Sequence, residues 1–405
     1  MAEQSLKDKT AKGLFWGGVS NGVQQLLGML FGIYLARTLN AEDYGLVGML
    51  AIFSGIASTI INSGFSVALT NKLDATHKDY NAVFWFSFVV SICLYIVLFF
   101  SAPLIASFYD RQELVNLSRV IFASFLFSGM AIVPHVILFK QLQVKMQAKI
   151  DVFALFLSGM CGVLLAFNGF AYWALAIQST VYVASASLLK WMVVSWRPSL
   201  DFSIEPLKEM FPFSVKLFLT NIFQQVNNNV FSVLLGKLYN ANVLGYYSQG
   251  NKWMTMGGSM LNNMINSVAQ PVFVQVNDDL ERQRNVFRKM VRFAAFVSFP
   301  AMLGLAFVAE EFICATIGNK WLESVPILQI LCVQGAIGPI ILLYTQVLVS
   351  HGKSDMFLYA NGIPMVYYNW LYYGLLHLLV FFVWLLHMCL LMYLCYLCGI
   401  FWFID

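Results

Sequence analysis

The chain has 405 residues, of which 60% are hydrophobic and 11% charged, with a net charge of +4 and a mean hydropathy of +0.72. Soluble domains carry about 25% charged residues, so the composition excludes a soluble globular protein and requires one embedded in a membrane. It also excludes a β-barrel, because the uncharged runs are of helical-span length rather than alternating segments of about ten residues.

The first residues, "MAEQSLKDKTAK", are polar, and the apolar run after them is span-length with no small-residue cleavage site. No cleavable signal peptide is expected. Uncharged runs then recur at 13–36, 44–71, 80–109, 120–139, 152–189, 217–236, 253–277 and 324–352. The run 152–189 holds two spans, with a break expected at Asn168-Gly169. The shorter run 293–309 is expected to span by continuing past Glu310 and Glu311. The window rule gives about ten helices before residue 355. Cys93, Cys161, Cys314 and Cys332 follow no metal or disulfide spacing and read as small apolar packing residues.

Alternate loops are basic. One set holds Lys7, Lys9, Lys12, Lys72, Lys78, Lys140, Lys145, Lys149, Lys190, Arg197, Lys208, Arg282, Arg284, Arg288, Lys289, Arg292 and Lys353, and the other Arg37, Arg111, Arg119, Lys237 and Lys320. This imbalance predicts that the first set, with the N-terminus, is cytoplasmic. No loop is long enough to fold as a catalytic domain, which counts against a membrane glycosyltransferase. No enzymatic activity and no cofactor are expected.

A stretch occurs twice. "NGVQQLLGMLFGIYLARTLNAEDYG" (21–45) and "NIFQQVNNNVFSVLLGKLYNANVLG" (221–245) are identical at Asn21, Gln24, Gln25, Phe31, Leu35, Asn40, Ala41 and Gly45 and their counterparts. The offset covers six helices, an even number, so the copies have the same orientation. The expected fold is an all-α polytopic membrane protein with two six-helix-type lobes related by a parallel repeat, the second incomplete. The expected division is 1–194 for the N-terminal lobe, 195–212 for a cytoplasmic linker, 213–360 for a C-terminal lobe of about four helices, and 361–405 for an atypical hydrophobic tail. In the linker "SWRPSLDFSIEPLKEMFP", Pro198, Pro206 and Pro212 are expected to break the helices on either side.

The first two helices of each expected lobe carry polar stripes. Lys216, Thr220, Gln224 and Asn227 or Asn228 share one helical face. So do Lys252, Thr255, Ser259, Asn262 or Asn263, and Asn266. The first helix has Ser20, Asn21, Gln24 and Gln25, and the second Ser54, Ser58 and Asn62. An amide facing lipid has no partner. These faces therefore turn toward protein, as hydrogen-bonding contacts between helices, or toward a hydrated cavity. The cavity candidates are Lys216 and Lys252 for an anionic group, with Asn21, Gln25, Asn62, Asn221, Gln225, Asn262 and Asn266 for hydroxyls or for packing. No clear mid-span carboxylate is seen before residue 355. That argues against the carboxylate relay of proton-coupled drug exporters.

The segments "GLFWGGVSNGVQQ" (13–25), "YLARTLNAEDYGLVGM" (34–49), "GFSVAL" (64–69), "APLIASFYD" (102–110), "ILFKQLQVKM" (137–146) and "NGFAYWALAIQ" (168–178) resemble the polysaccharide-transporter, or O-antigen-type oligosaccharide flippase, family. That family lies within the superfamily of multidrug, oligosaccharidyl-lipid and polysaccharide exporters. The resemblance covers roughly 1–360. It implies twelve or fourteen helices in two lobes. It also implies movement of undecaprenyl-diphosphate-linked oligosaccharide across a bacterial inner membrane, for lipopolysaccharide or exopolysaccharide synthesis. Implied partners are that lipid-linked oligosaccharide, membrane lipid and the polymerase or glycosyltransferase machinery, with no nucleic acid. Alternatives are a small-molecule exporter on the same scaffold and an inactive, truncated flippase.

The tail departs from this pattern. From Asn361 to Phe403 there is no Ala, Ser, Thr, Gln, Lys, Arg or Glu. Its composition predicts a reading-frame shift near Ile363. His377, His387, Cys389, Cys395 and Cys398 have no ligand spacing and are not read as a metal site.

Overall fold

The computed structural model describes residues 2–62, 64–72, 74–200, 203–275 and 280–350. The tail after residue 350, and with it the expected frame shift, lies outside the described residues. Those residues form helices α1 (Ala2–Thr38), α2 (Ala41–Met49), α3 (Ala51–Asn62), α4 (Phe65–Asn71), α5 (His77–Tyr109), α6 (Glu113–Lys140), α7 (Val144–Phe167), α8 (Tyr172–Val193), α9 (Glu205–Leu238), α10 (Ala241–Gln275), α11 (Leu280–Phe307), α12 (Ala309–Thr316) and α13 (Ser324–Ser350), with a 3-10 turn at Asn319–Trp321. No strand occurs among them. The chain is an all-α polytopic membrane protein. Among the described residues, six segments are long and apolar enough to cross a membrane: Ala41–Asn71, α5, α6, α7, Glu281–Phe307 and Ser324–Tyr344. Helices α1, α8, α9 and α10 are also of spanning length. The polar stripes lie on α1, α3, α9 and α10.

The described residues divide into two compact units, one ending at Gly245 and the other beginning at Tyr246. In the first, α5 packs on α6, α6 and α7 on α8, α1 on α7, and α3 on α9. Small residues set the close approaches. A β-carbon on Gly159 would fall 2.2 Å from the Phe31 ring, and one on Gly129 would fall 2.4 Å from Ser91 Oγ. Three donors, from a threonine, a serine and a tryptophan, tie α8 to α6 through backbone carbonyls. Thr180 Oγ1 donates to Val120 O, Ser187 Oγ to Phe127 O and Trp191 Nε1 to Met130 O, at 3.3, 2.9 and 3.0 Å. Their steady offset makes the two helices parallel neighbours. A further cluster of Leu35, Leu39, Ala166 and Ala174 closes α1 against α7 and α8.

In the second unit, α11 packs along α13. Ser298 Oγ donates to Ala336 O at 2.7 Å, satisfying a buried hydroxyl that lipid would leave unpaired. Ile265, Ala269, Phe273, Ala294 and Leu343 form its apolar core. Trp253 sits edge-on to Phe312 at 5.0 Å.

Helix boundaries test several sequence expectations. The break at Asn168-Gly169 is present: α7 stops at Phe167, and Gly169 has φ +78. The break expected at Pro206 and Pro212 is not. Helix α9 starts at Glu205, so Pro206 occupies the first turn, where its missing N–H costs nothing, and the helix continues through Pro212. The expected continuation of 293–309 past Glu310 is also corrected. Helix α11 ends at Phe307 and instead extends backward through the charged residues to Leu280. Glu310 and Glu311 occupy the first turn of α12, where a helix N-terminus stabilises acidic side chains.

Gly64 sits between α3 and α4 with φ +74, and a β-carbon there would stand 2.6 Å from Ser214 O. Both conformation and space therefore require glycine. Gly64→Ala is expected to destabilise by about 1–3 kcal/mol. Thermal unfolding of the purified protein checks this, and an unchanged midpoint would contradict it.

Candidate functional site

One end of the first unit gathers residues from the basic loops. Lys72 Nζ bonds Glu209 Oε2 at 2.6 Å and Asp79 Oδ1 at 3.0 Å. Asp79 Oδ2 also accepts the Thr76 N–H at 2.7 Å and its hydroxyl at 2.8 Å, capping α5. Lys140 donates to the carbonyls of Leu69 and Lys72, closing the C-terminal end of α4. This gives Lys140, at the end of α6, a structural role. Residues 195–199 are pinned along α5. Trp85 Nε1 donates to Ser199 O at 2.7 Å, Ser199 N–H to Asn81 Oδ1 at 3.0 Å, and Trp196 Nε1 to His77 Nδ1 at 3.0 Å. Glu209 first, and then Asp79, hold the Lys72 ammonium above the usual lysine range. Because this pKa is raised, the stabilisation is complete below the ordinary lysine value and is lost only as pH climbs through the raised one. The latch is therefore intact across neutral pH.

The opposite end is held by Lys237 Nζ on Asp110 Oδ2 at 3.0 Å and Arg111 Nη1 on Glu42 Oε1 at 2.8 Å. Residues of the basic set and of the sparse set thus occupy opposite ends of this unit.

Between the ends runs a polar seam of α3 and α9. Gly64 approaches Ser214, and Gly55 approaches Gln225 Oε1, where a β-carbon would fall 2.7 Å away. The two contacts make α3 and α9 antiparallel and put Asn62 level with residues 216–218, among them Lys216. Asn62 Nδ2 donates to Ser58 O at 2.8 Å, and its side chain is exposed. Gln225 is used in packing. Asn229 Nδ2 donates to its carbonyl at 2.9 Å and its Oε1 at 3.3 Å, and the pair fills the space above Gly55. Asn221 is exposed.

Helix α1 offers an open polar strip. Gln24 is bonded to Ser20 Oγ at 2.9 Å. Gly18, Asn21, Gly22, Gln25 and Gly28 fall on one face. Asn21 and Gln25 are exposed, and β-carbons on the three glycines would meet nothing within 4 Å among the described residues. In a spanning helix such a face needs a hydrated or protein-lined surrounding.

In the second unit, Lys252 is half-buried on α10. Asn262 Oδ1 is buried with no hydrogen-bond partner among the described residues. Lys216 and Asn266 lie in α9 and α10, but their side chains are outside the described ones. The structure thus brings Asn62 level with Lys216 and assigns Gln225 a packing contact.

Sequence reasoning passed over Asp151. It lies within the span of α7, two turns from Val144, where the Lys190 ammonium of α8 acts electrostatically on it and on His135 of α6. Its signal was the lone carboxylate in 150–189, with Lys190 closing the same run. No cluster of His, Cys, Asp or Glu able to hold a metal occurs among the described residues.

The family model described as "Polysaccharide biosynthesis protein" matches residues 34–326. The chain belongs to this family. Among its relatives, the teichuronic acid biosynthesis protein TuaB of Bacillus subtilis (strain 168) is 28% identical over 366 residues, covering 90% of this chain and 76% of TuaB. The lipopolysaccharide biosynthesis protein WzxC of Escherichia coli (strain K12) is 24% identical, covering 82% of this chain and 68% of WzxC. Among solved structures, the lipid II flippase MurJ in an inward closed conformation superposes with a TM-score of 0.78 at 13% identity, over 96% of this chain and 87% of MurJ. The likeness to MurJ is one of fold. The residues matched by the family model run from Tyr34, in α1, to Pro326, in α13, so the α3–α9 seam lies inside the family region.

Proposed function

We propose that this family member is a flippase that moves lipid-linked oligosaccharide, with undecaprenyl diphosphate as the carrier, across the bacterial inner membrane for surface polysaccharide synthesis. The family match over 34–326 carries the reading. The polar faces support it. The glycine and amide strip of α1 offers hydrogen bonds to hydroxyls, and Lys216 and Lys252 offer charge to a diphosphate. A flippase makes and breaks no covalent bond, so its chemistry is recognition and passage rather than catalysis. The proposed orientation puts the N-terminus and the Lys72 end in the cytoplasm, following the loop charges. The two lobes, 1–194 and 213–360 around the linker 195–212, are proposed to rock about the pathway. Their partners in this reading are the glycan-assembling enzymes of the same leaflet and the polymerase beyond.

The test is complementation of a bacterial strain that lacks its own oligosaccharide flippase. Surface glycan is expected to return with the chain and to fall at least tenfold in the Lys216→Ala/Lys252→Ala double variant at equal protein level. Normal glycan with both lysines removed would eliminate their role. Export of amphiphilic cations without restored glycan would overturn the substrate class.

A further inference from the structure

At the end of the first unit opposite Lys72, most groups find their partners within the chain. The starts of α2 and α10 lie backbone to backbone: a β-carbon on Gly45 would stand 1.7 Å from the Ala241 carbonyl oxygen, and one on Gly245 would stand 1.9 Å from that of Ala41. Lys237 is matched by Asp110, and Arg111 by Glu42. Arg119 is the exception. It falls with these cations in the sparse set of basic residues but lies inside the candidate span Glu113–Lys140. Six residues separate it from the start of α6, a depth of about 9 Å. Among the described residues no carboxylate pairs with it, and its buried Nε has no hydrogen-bond partner. Its guanidinium carbon lies 4.2 Å from the centre of the Phe99 ring on α5. Tyr95 and Phe100 meet that ring edge-on at 5.9 and 5.7 Å. Stacking on a fixed ring holds the guanidinium and leaves its N–H groups for a two-oxygen acceptor such as a phosphate.

The neighbouring surface shows where such an acceptor comes from. Along α5, Val89, Cys93, Ile96, Phe100, Leu104 and Phe108 recur every three or four residues, and all are exposed. That spacing makes one apolar stripe, a surface suited to acyl chains. Phe99 borders the stripe beside Phe100, and Asn116, one turn before Arg119 on α6, is exposed. A charge inside a span needs a partner, and an arginine near a helix end reaches toward the headgroups. We propose that Arg119 binds the phosphate of an anionic phospholipid in the leaflet at this end. Asn116 donates to the same headgroup, and the acyl chains lie along Ile96, Cys93 and Val89 toward the middle of the span. Charge selects the lipid: the phosphate of phosphatidylglycerol has no ammonium of its own, whereas that of phosphatidylethanolamine does. The site belongs to the lipid around the protein and does not depend on the flippase reading.

Native mass spectrometry of the full chain, released from detergent micelles, measures bound phosphatidylglycerol and phosphatidylethanolamine across a titration. The parent is expected to hold one phosphatidylglycerol about fivefold more tightly than phosphatidylethanolamine, and Arg119→Gln to lose that preference. Arg119→Lys keeps the charge without the planar fork and is expected to keep part of it. Arg111→Gln, at the same end but paired with Glu42, is expected to leave it unchanged. A preference that survives in Arg119→Gln, or that falls as far in Arg111→Gln, would overturn the proposal. Should Arg119→Gln not fold, Arg119→Lys and Phe99→Leu carry the test, and the parent preference in both would overturn it. Undecaprenyl diphosphate is added as a competitor. Displacement of the bound phosphatidylglycerol at about a tenth of its concentration, lost in Arg119→Lys, would assign the site to the diphosphate lipid and overturn the phospholipid as its occupant.

Discussion

Lys72→Glu is expected to release the first turns of α9 from α4 and α5. The substitution places a third carboxylate against Asp79 and Glu209, which Lys72 now bridges at 3.0 and 2.6 Å. Asp79 is only 3% exposed and keeps just the two Thr76 donors once the ammonium is gone. Removing one partner of a buried pair costs about 3–5 kcal/mol, most of it from the charge left behind. Lys72→Met removes the cation without adding an anion and is expected to cost less, about 2 kcal/mol, because both Thr76 bonds remain. The charge swap Lys72→Glu/Glu209→Lys restores one pair and leaves Asp79 facing a like charge, so partial recovery is expected. Thermal unfolding of the four proteins in detergent orders them as parent, Lys72→Met, double swap and Lys72→Glu. Equal midpoints for parent and Lys72→Glu would show that the latch carries no stability.

Trp321→Ala is expected to be the most damaging single truncation in the second unit. The side chain is fully buried, at 0% exposure, and its ring lies 6.0 Å from that of Tyr246, edge-on. It sits in the 3-10 turn after Gly318, whose φ of +97 turns the chain toward α13. Truncating a buried tryptophan costs about 3–5 kcal/mol through lost burial and the cavity left behind. Trp321→Phe keeps most of the ring and is expected to cost less than half as much. The comparison is read from denaturation midpoints of the two variants. An alanine variant as stable as the phenylalanine one would mean that the neighbouring helices collapse into the space.

Much of the helical architecture was legible because the bilayer forces it. Uncharged runs of span length become helices, Asn168-Gly169 breaks one run into two, and loop charges sort the ends. The misread boundaries have local causes. Pro206 falls in the first turn of α9, where a proline costs nothing, and Pro212 is carried inside that helix, while Glu310 and Glu311 open a new helix rather than continuing the old one. The Lys72–Glu209 pair joins residues 137 apart, and no local pattern announces such a partner. Gln225 illustrates the limit for the candidate site. Helical spacing put it on α9 among the amides but could not distinguish an amide lining a cavity from one packed over Gly55, because both leave the same trace in sequence. The polar strip on α1 is open only with respect to the described residues, and its exposure depends on where the other helices pack, which helical spacing does not give.

The contact between residues 41–45 and 241–245 also limits how the chain can be repaired by a second change. What a side chain at Gly45 would strike is the carbonyl of Ala241, and at Gly245 the carbonyl of Ala41. Every amino acid carries that carbonyl. No replacement at position 241 can make room for a side chain at position 45, and none at 41 can do so for 245. Genetic suppressors of such variants must therefore arise elsewhere, in residues that tilt or slide a whole helix.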